Sequence, residues 1–95
     1  MKATLLIRER VVYPDACLAE MVVWQVPNPV PPSQHRFKYS LVYIEHGKRV
    51  LGYDNERGKG DHRHEGDTQA RFAFVSIEAL LERFVEEVEV MRRRL

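Results

Sequence analysis

The sequence predicts an α+β domain: about five mainly antiparallel strands and one C-terminal amphipathic helix packed on the sheet. Three observations carry this expectation. Apolar and β-branched residues gather in strand-length runs over residues 3–12, 17–26, 36–45, 48–54 and 69–75. Turn signals separate the early runs at Tyr13-Pro14-Asp15 and His46-Gly47. From Ser76 onward the apolar spacing changes from alternation to the period of a helix.

The run 17–26 is apolar on both alternating faces apart from Glu20 and Gln25, so it reads as a central strand covered on both sides. Residues 27–32 hold four of the five prolines, which fix φ and remove amide donors; this is an extended surface connection. Residues 36–45 and 48–54 form a hairpin closed by His46-Gly47, where glycine relieves a positive φ. With Glu45 opposite Lys48, alternation places Ser40, Val42, Ile44, Leu51 and Tyr53 on one face. Phe37, Tyr39, Leu41, Tyr43, Val50 and Asp54 fall on the other, with Asp54 across from Tyr39. In 69–75, Ala70, Phe72 and Phe74 alternate with Arg71 and Ala73 as a fifth strand. Ser76 is the helix N-cap, Glu78 suits the positive end of the dipole, and Val75 with Leu80 forms a hydrophobic staple. Ile77, Leu80, Leu81, Phe84, Val88, Met91 and Leu95 make the apolar stripe that packs on the sheet. Arg92, Arg93 and Arg94 compensate the dipole at the other end.

Ninety-five residues make a single domain, 1–95, small enough that association with a partner or a second copy as a homodimer would add stability. A formal net charge of +1 excludes a strongly polycationic nucleic-acid binder but leaves room for a local basic patch. Were Arg8, Arg10, Lys38 and Arg49 to share a face, they would form such a floor for an RNA backbone. The single cysteine, Cys17, cannot close an internal disulfide and has no neighbouring cation to activate it, which fits a buried apolar role in a reducing cytoplasm. The sequence shows neither a secretory leader nor a membrane-spanning run, so a cytoplasmic address is expected.

Function is expected in the polar segment 53–68, read as a long loop. It packs two histidines, five carboxylates, three cations and three glycines together. In extended chain, His62 and His64 point the same way and Arg63 points elsewhere. Two imidazoles at one spot, one protonated and one neutral, suit acid–base cleavage of a phosphodiester. Asp54 would orient one of them, and Lys59 or Arg63 would hold phosphate. The alternative is a metal-dependent hydrolase whose zinc, manganese or iron is held by His62, His64 and one or more of Asp54, Asp61 and Asp67. A third reading is a non-catalytic module whose charged loop and helix dock a partner. Gly58-Lys59-Gly60 lacks the spacing of a Walker phosphate loop, and His35 and His46 read as polar loop residues.

Phe37-Lys38-Tyr39 opening a hairpin, Tyr53-Asp54-Asn55 at its end, His62-x-His64 downstream and a terminal amphipathic helix together resemble the TumE-type toxins. The similarity runs over most of the chain, and its most specific part is Tyr53-Asp54-Asn55 with His62 and His64. The chain departs from the family pattern at Gly58-Lys59-Gly60-Asp61, where members often carry more histidine and proline. The resemblance implies the toxin of a type II toxin–antitoxin pair, acting on RNA and neutralised by a helix-turn-helix antitoxin. Tyr53 and Asn55 then join Lys59 and Arg63 as candidate substrate contacts.

Overall fold

The computed structural model describes residues 2–95. Its strands are β1 (Thr4–Tyr13), β2 (Cys17–Gln25), β3 (Phe37–Glu45), β4 (Lys48–Glu56), β5 (Gly60–Glu65) and β6 (Thr68–Arg71), followed by α1 (Ile77–Arg93). They form one six-stranded antiparallel sheet in the order β1-β2-β3-β4-β5-β6. The α+β expectation holds, with one strand more than the sequence indicates.

The extra strand lies inside the segment read as a loop. β4 continues to Glu56, reverses through a turn with Gly58 at φ 86° and Gly60 at φ 77°, and pairs with β5 from Glu56↔Gly60 to Leu51↔Glu65. The turn is fastened to the proline-rich connection by the Gly58 amide, which donates to the Pro31 carbonyl at 2.8 Å. Strand formation here follows from backbone pairing and from polar side chains finding partners, neither of which apolar periodicity reports. The strand expected over 69–75 stops at Arg71, and Phe72 and Phe74 leave the ladder to pack against the core.

The β3–β4 register corrects a second expectation. His46 and Gly47 turn the hairpin at φ 51° and 81°. Glu45 pairs with Lys48 as expected and Ile44 with Arg49, but Tyr43 pairs with Leu51, so Val50 is a one-residue bulge. A one-residue slip sends every later side chain to the other face. Leu51 and Tyr53 therefore enter the core, both fully buried, and Asp54 sits opposite Ser40 on the outer face rather than opposite Tyr39. Burying two such large side chains contributes roughly 1.5–3 kcal/mol each, which sets the register.

The helix covers one face of the sheet. Ile77, Leu80, Phe84 and Val88 pack with Tyr39, Leu41, Tyr43, Leu51 and Tyr53. Ser76 caps the helix by accepting from the Ala79 amide at 3.0 Å, while Val75 is 82% exposed and makes no staple. Arg92 is more than a dipole-compensating end. It donates to Asp15 Oδ2 at 3.0 Å and to the Tyr43 hydroxyl at 3.1 Å, and its guanidinium lies 3.6 Å from the Tyr13 ring centroid. β2 is covered on this face alone: Cys17, Ala19 and Val23 are buried, whereas Leu18, Val22 and Trp24 are half-exposed on the helix-free face.

Beyond Ser40↔Asp54 the β3–β4 ladder ends, and the Asn55 side chain takes its place. Its Oδ1 accepts from the Tyr39 amide at 3.0 Å and its Nδ2 donates to the Phe37 carbonyl at 2.6 Å, with no exposed surface. Asn55→Ala is expected to lower the unfolding free energy by about 2–4 kcal/mol, since two buried backbone groups lose their partners. Urea denaturation measures this, and a loss below about 1 kcal/mol would show that the clip is dispensable.

Candidate functional site

Alternation along β5 splits its side chains between the two faces of the sheet. His62 and His64 point to the helix-free face, with ring centroids 6.5 Å apart and planes inclined by 31°. Asp54, across from His62 in the register, joins them there because of the Val50 bulge. The expected convergence of the two imidazoles beside this aspartate is thus present in the geometry.

His64 Nε2 lies 3.2 Å from Asp54 Oδ2, out of line for a hydrogen bond. Among the described residues, this nitrogen is buried without a hydrogen-bond partner. His62 is held differently. Its Nδ1 lies 3.0 Å from the Gly60 carbonyl oxygen, which can only accept, so Nδ1 carries a proton and the neutral ring keeps its lone pair on Nε2. The two histidines are therefore held by different neighbours, His62 by a backbone carbonyl and His64 beside a carboxylate.

His64 and Asp54 line a cleft of about 390 Å³ with Arg49, Glu56, Lys59, Asp67 and Gln69. Lys59 lines this cleft with Glu56 3.7 Å away. The sequence offers Arg49 only as part of a basic floor with Arg8, Arg10 and Lys38, and not as a neighbour of the histidines. Pairing with Ile44, on the turn side of the bulge, puts Arg49 on this face, where its side chain lies over Gly52; a Cβ there would stand 3.2 Å from Arg49 Cδ.

The other candidates sit on the helix side. Arg63 is committed to Glu87, with which it forms a close ion pair, and to Glu65 at 2.8 Å. The Tyr53 hydroxyl donates to Glu87 and accepts from Arg63 Nε at 3.1 Å. Burial, then the Glu87 hydrogen bond, pushes this phenol up to about 12. Asn55 is enclosed as described. These three residues shape the site from behind, and their polar atoms are already paired.

Asp61 also faces the helix side, so His62, His64, Asp54 and Asp61 do not gather as one ligand set. Among the described residues no group of three or more His, Cys, Asp or Glu has metal-site geometry. Asp61 instead accepts from the Tyr39 hydroxyl at 2.5 Å and the Ser33 hydroxyl at 3.2 Å, and contacts His35 Nε2 at 2.8 Å. Burial, then this bond to Asp61, pushes the Tyr39 phenol well above its usual value. His35 is thus no loose polar residue. Its Nδ1 accepts from the Phe37 amide at 3.2 Å and its ring stacks on Phe74 with centroids 3.7 Å apart. With both nitrogens engaged, His35 is a structural pin. A cavity of about 630 Å³ opens beside it at the helix start, where His35, Asp61 and Ser33 bond one another. No signal in a single sequence marks the His35–Asp61 pairing, which spans 26 positions.

The family model described as Toxin TumE matches residues 2–93, nearly the whole chain. Searches of the curated proteins and of the solved structures found no match. Among the described residues, no helix is long and apolar enough to cross a membrane.

The Glu87 knot behind the site yields a pH prediction. Burial pushes the Glu87 carboxyl up, but the bonds from Arg63 and Tyr53 outweigh it and hold the group below its ordinary 4.5. A depressed carboxylate contributes stability that is present above the unfolded value and lost as pH falls through the folded one. Stability is therefore expected to fall on acidification below about pH 4.5, and Glu87→Gln is expected to flatten that fall. The same substitution should cost about 1–2 kcal/mol at pH 7, a charged hydrogen-bond value discounted for partial exposure. Thermal melts of both proteins from pH 3 to 7 check this, and parallel curves would refute it.

Proposed function

The chain belongs to the TumE toxin family, and from that premise we propose that it arrests growth by cutting RNA through metal-independent acid–base chemistry at His62 and His64. The observation that carries the proposal is the pair of imidazoles 6.5 Å apart on one open sheet face, with Asp54 3.2 Å from His64. A phosphodiester set between the rings has its 2′-hydroxyl toward one and its 5′-oxygen toward the other. His62 Nε2 takes the 2′-hydroxyl proton as the 2′-oxygen attacks phosphorus. The bond from phosphorus to the 5′-oxygen breaks, and His64, as imidazolium, protonates the departing oxygen. The products are a 2′,3′-cyclic phosphate and a free 5′-hydroxyl, with the histidines left in opposite protonation states and reset through solvent. Asp54, 3.2 Å from His64 Nε2, is a positioning residue for that ring. Arg49 and Lys59 face the phosphate oxygens as charge develops on them.

A toxin of this family has an antitoxin partner. We take that partner to be a helix-turn-helix protein, consistent with the family pattern.

His62→Ala and His64→Ala are each expected to abolish growth inhibition and to lower RNA cleavage by about 10²–10⁴-fold, the range for loss of a general acid or base. Both variants should keep their melting temperature and antitoxin binding, because both side chains lie outside the core. Cleavage by the parent protein should survive a chelator. Full toxicity of His64→Ala would overturn the acid–base reading, and chelator-sensitive cleavage would move the chemistry to a metal.

A further inference from the structure

The cleft around His64 presents a problem to an anionic substrate. It holds Asp54, Glu56 and Asp67 against two cations, Arg49 and Lys59. Attraction for a phosphate chain must therefore come from elsewhere on the same face. The register shows where. Reading straight across the strands from Arg8 gives Val22, Ser40, Asp54, His62 and Arg71, each paired with the next. The adjacent row runs Arg10, Glu20, Val42, Gly52, His64 and Gln69. On the other side, Trp24 pairs with Lys38. All these side chains share the helix-free face with the two histidines.

Two physical features set this face apart. On the helix side, Arg63, Arg83, Arg92 and Arg93 are each paired with a carboxylate. Among the described residues, Arg8, Arg10, Arg49 and Arg71 have no carboxylate within ion-pair distance, and all four are exposed. Trp24 is half-exposed beside Val22, Lys38, Ser40 and Asp54 in a shallow depression. Free guanidinium groups and an accessible indole on one flat surface match the phosphates and bases of a single strand. A rigid duplex would present stacked bases that Trp24 cannot reach.

We propose that single-stranded RNA lies across the strands on the helix-free face, from Arg8 and Arg10 over Trp24 to the histidines and on to Arg71. This rests on the cleavage reading for its catalytic end, while the track itself is a separate claim about binding. Strands about 4.8 Å apart put Arg8 roughly 19 Å from His62, four spacings away, so the track holds several nucleotides on one side of the cut. Arg8 and Arg10 are subsite residues that anchor the chain far from the reacting bond. Trp24, on β2, stacks on a base three strand spacings from His62, roughly 14 Å away. Arg71 takes a phosphate on the other side.

The test uses the purified full chain and a 2′-O-methyl single-stranded RNA 12-mer, which lacks the nucleophile and so reports binding without cleavage. Trp24 is the only tryptophan, so its fluorescence reads the site directly. The 12-mer is expected to change that fluorescence saturably, and a duplex of the same sequence to do so only at much higher concentration. Arg8→Gln with Arg10→Gln should weaken binding at least about tenfold at 0.1 M salt and reduce the salt slope by about 1.4, two phosphates at ~0.7 each. Trp24→Ala should weaken it about 5- to 100-fold, the range for one stacked base, and Trp24→Phe should recover most of the loss. Parental affinity in the arginine and Trp24→Ala variants would overturn the track. So would an unchanged Trp24 signal with RNA combined with loss of antitoxin binding in the arginine variant, which would make the face a protein-docking surface. Toxicity of His64→Ala with the binding results intact would remove the cleavage reading and leave the track standing.

Discussion

One displaced residue in β4 organises this molecule. Val50 has no partner across the β3–β4 hairpin, and the strand beyond it is turned over relative to the turn that starts it. Because of that inversion, Leu51 and Tyr53 fill the core and Asn55 clips the end of β3. The intervening positions go outward, which exposes Asp54 to the face that β5 supplies with imidazoles. Without the bulge, Asp54 would be driven into the apolar interior and the tyrosine into water. Folding energy and the placement of Asp54 beside the histidines thus favour the same register.

The result is a sheet with two unlike faces. On the helix side polar groups occur, but they are knotted together: Glu87 with Arg63 and Tyr53, Asp61 with His35 and Tyr39, Arg92 with Asp15 and Tyr43. These knots fix the backbone of β5 and the slope of the helix. On the helix-free side Arg8, Arg10, Arg49 and Arg71 have no carboxylate within ion-pair distance among the described residues and are open to solvent. A backbone held from behind leaves the front side chains with few duties in stability, as suits residues kept for chemistry.

Much of this was legible from alternation and turn chemistry. The His46-Gly47 turn, the Ser76 cap, the helix stripe and the shared direction of His62 and His64 all follow from local rules that the fold respects. The misreadings share a cause, which is that side-chain pairing over long separations overrides local pattern. β5 contains almost no apolar residue, yet it is a strand because Arg63 finds Glu87 and Asp61 finds Tyr39 and His35. The Val50 bulge leaves no mark in the hairpin's own sequence; it appears only once the burial of Leu51 and Tyr53 is weighed. Tyr53, Asn55 and Arg63 stand close to the histidines in sequence, but β5 alternation and the bulge put them behind the sheet. Conversely Arg49 and Arg8, distant in sequence, arrive on the front.

Every strand in this sheet pairs with its neighbour in sequence. Such a meander can zip up one hairpin at a time, with short loops to close and little entropy lost at each step. The exception is the return of the C-terminal helix, whose Arg92 reaches back 77 positions to Asp15. The histidine face can therefore take shape hairpin by hairpin, while its rear support arrives only when the helix docks. Docking of the helix, rather than completion of the sheet, is then the event that makes the histidine face rigid.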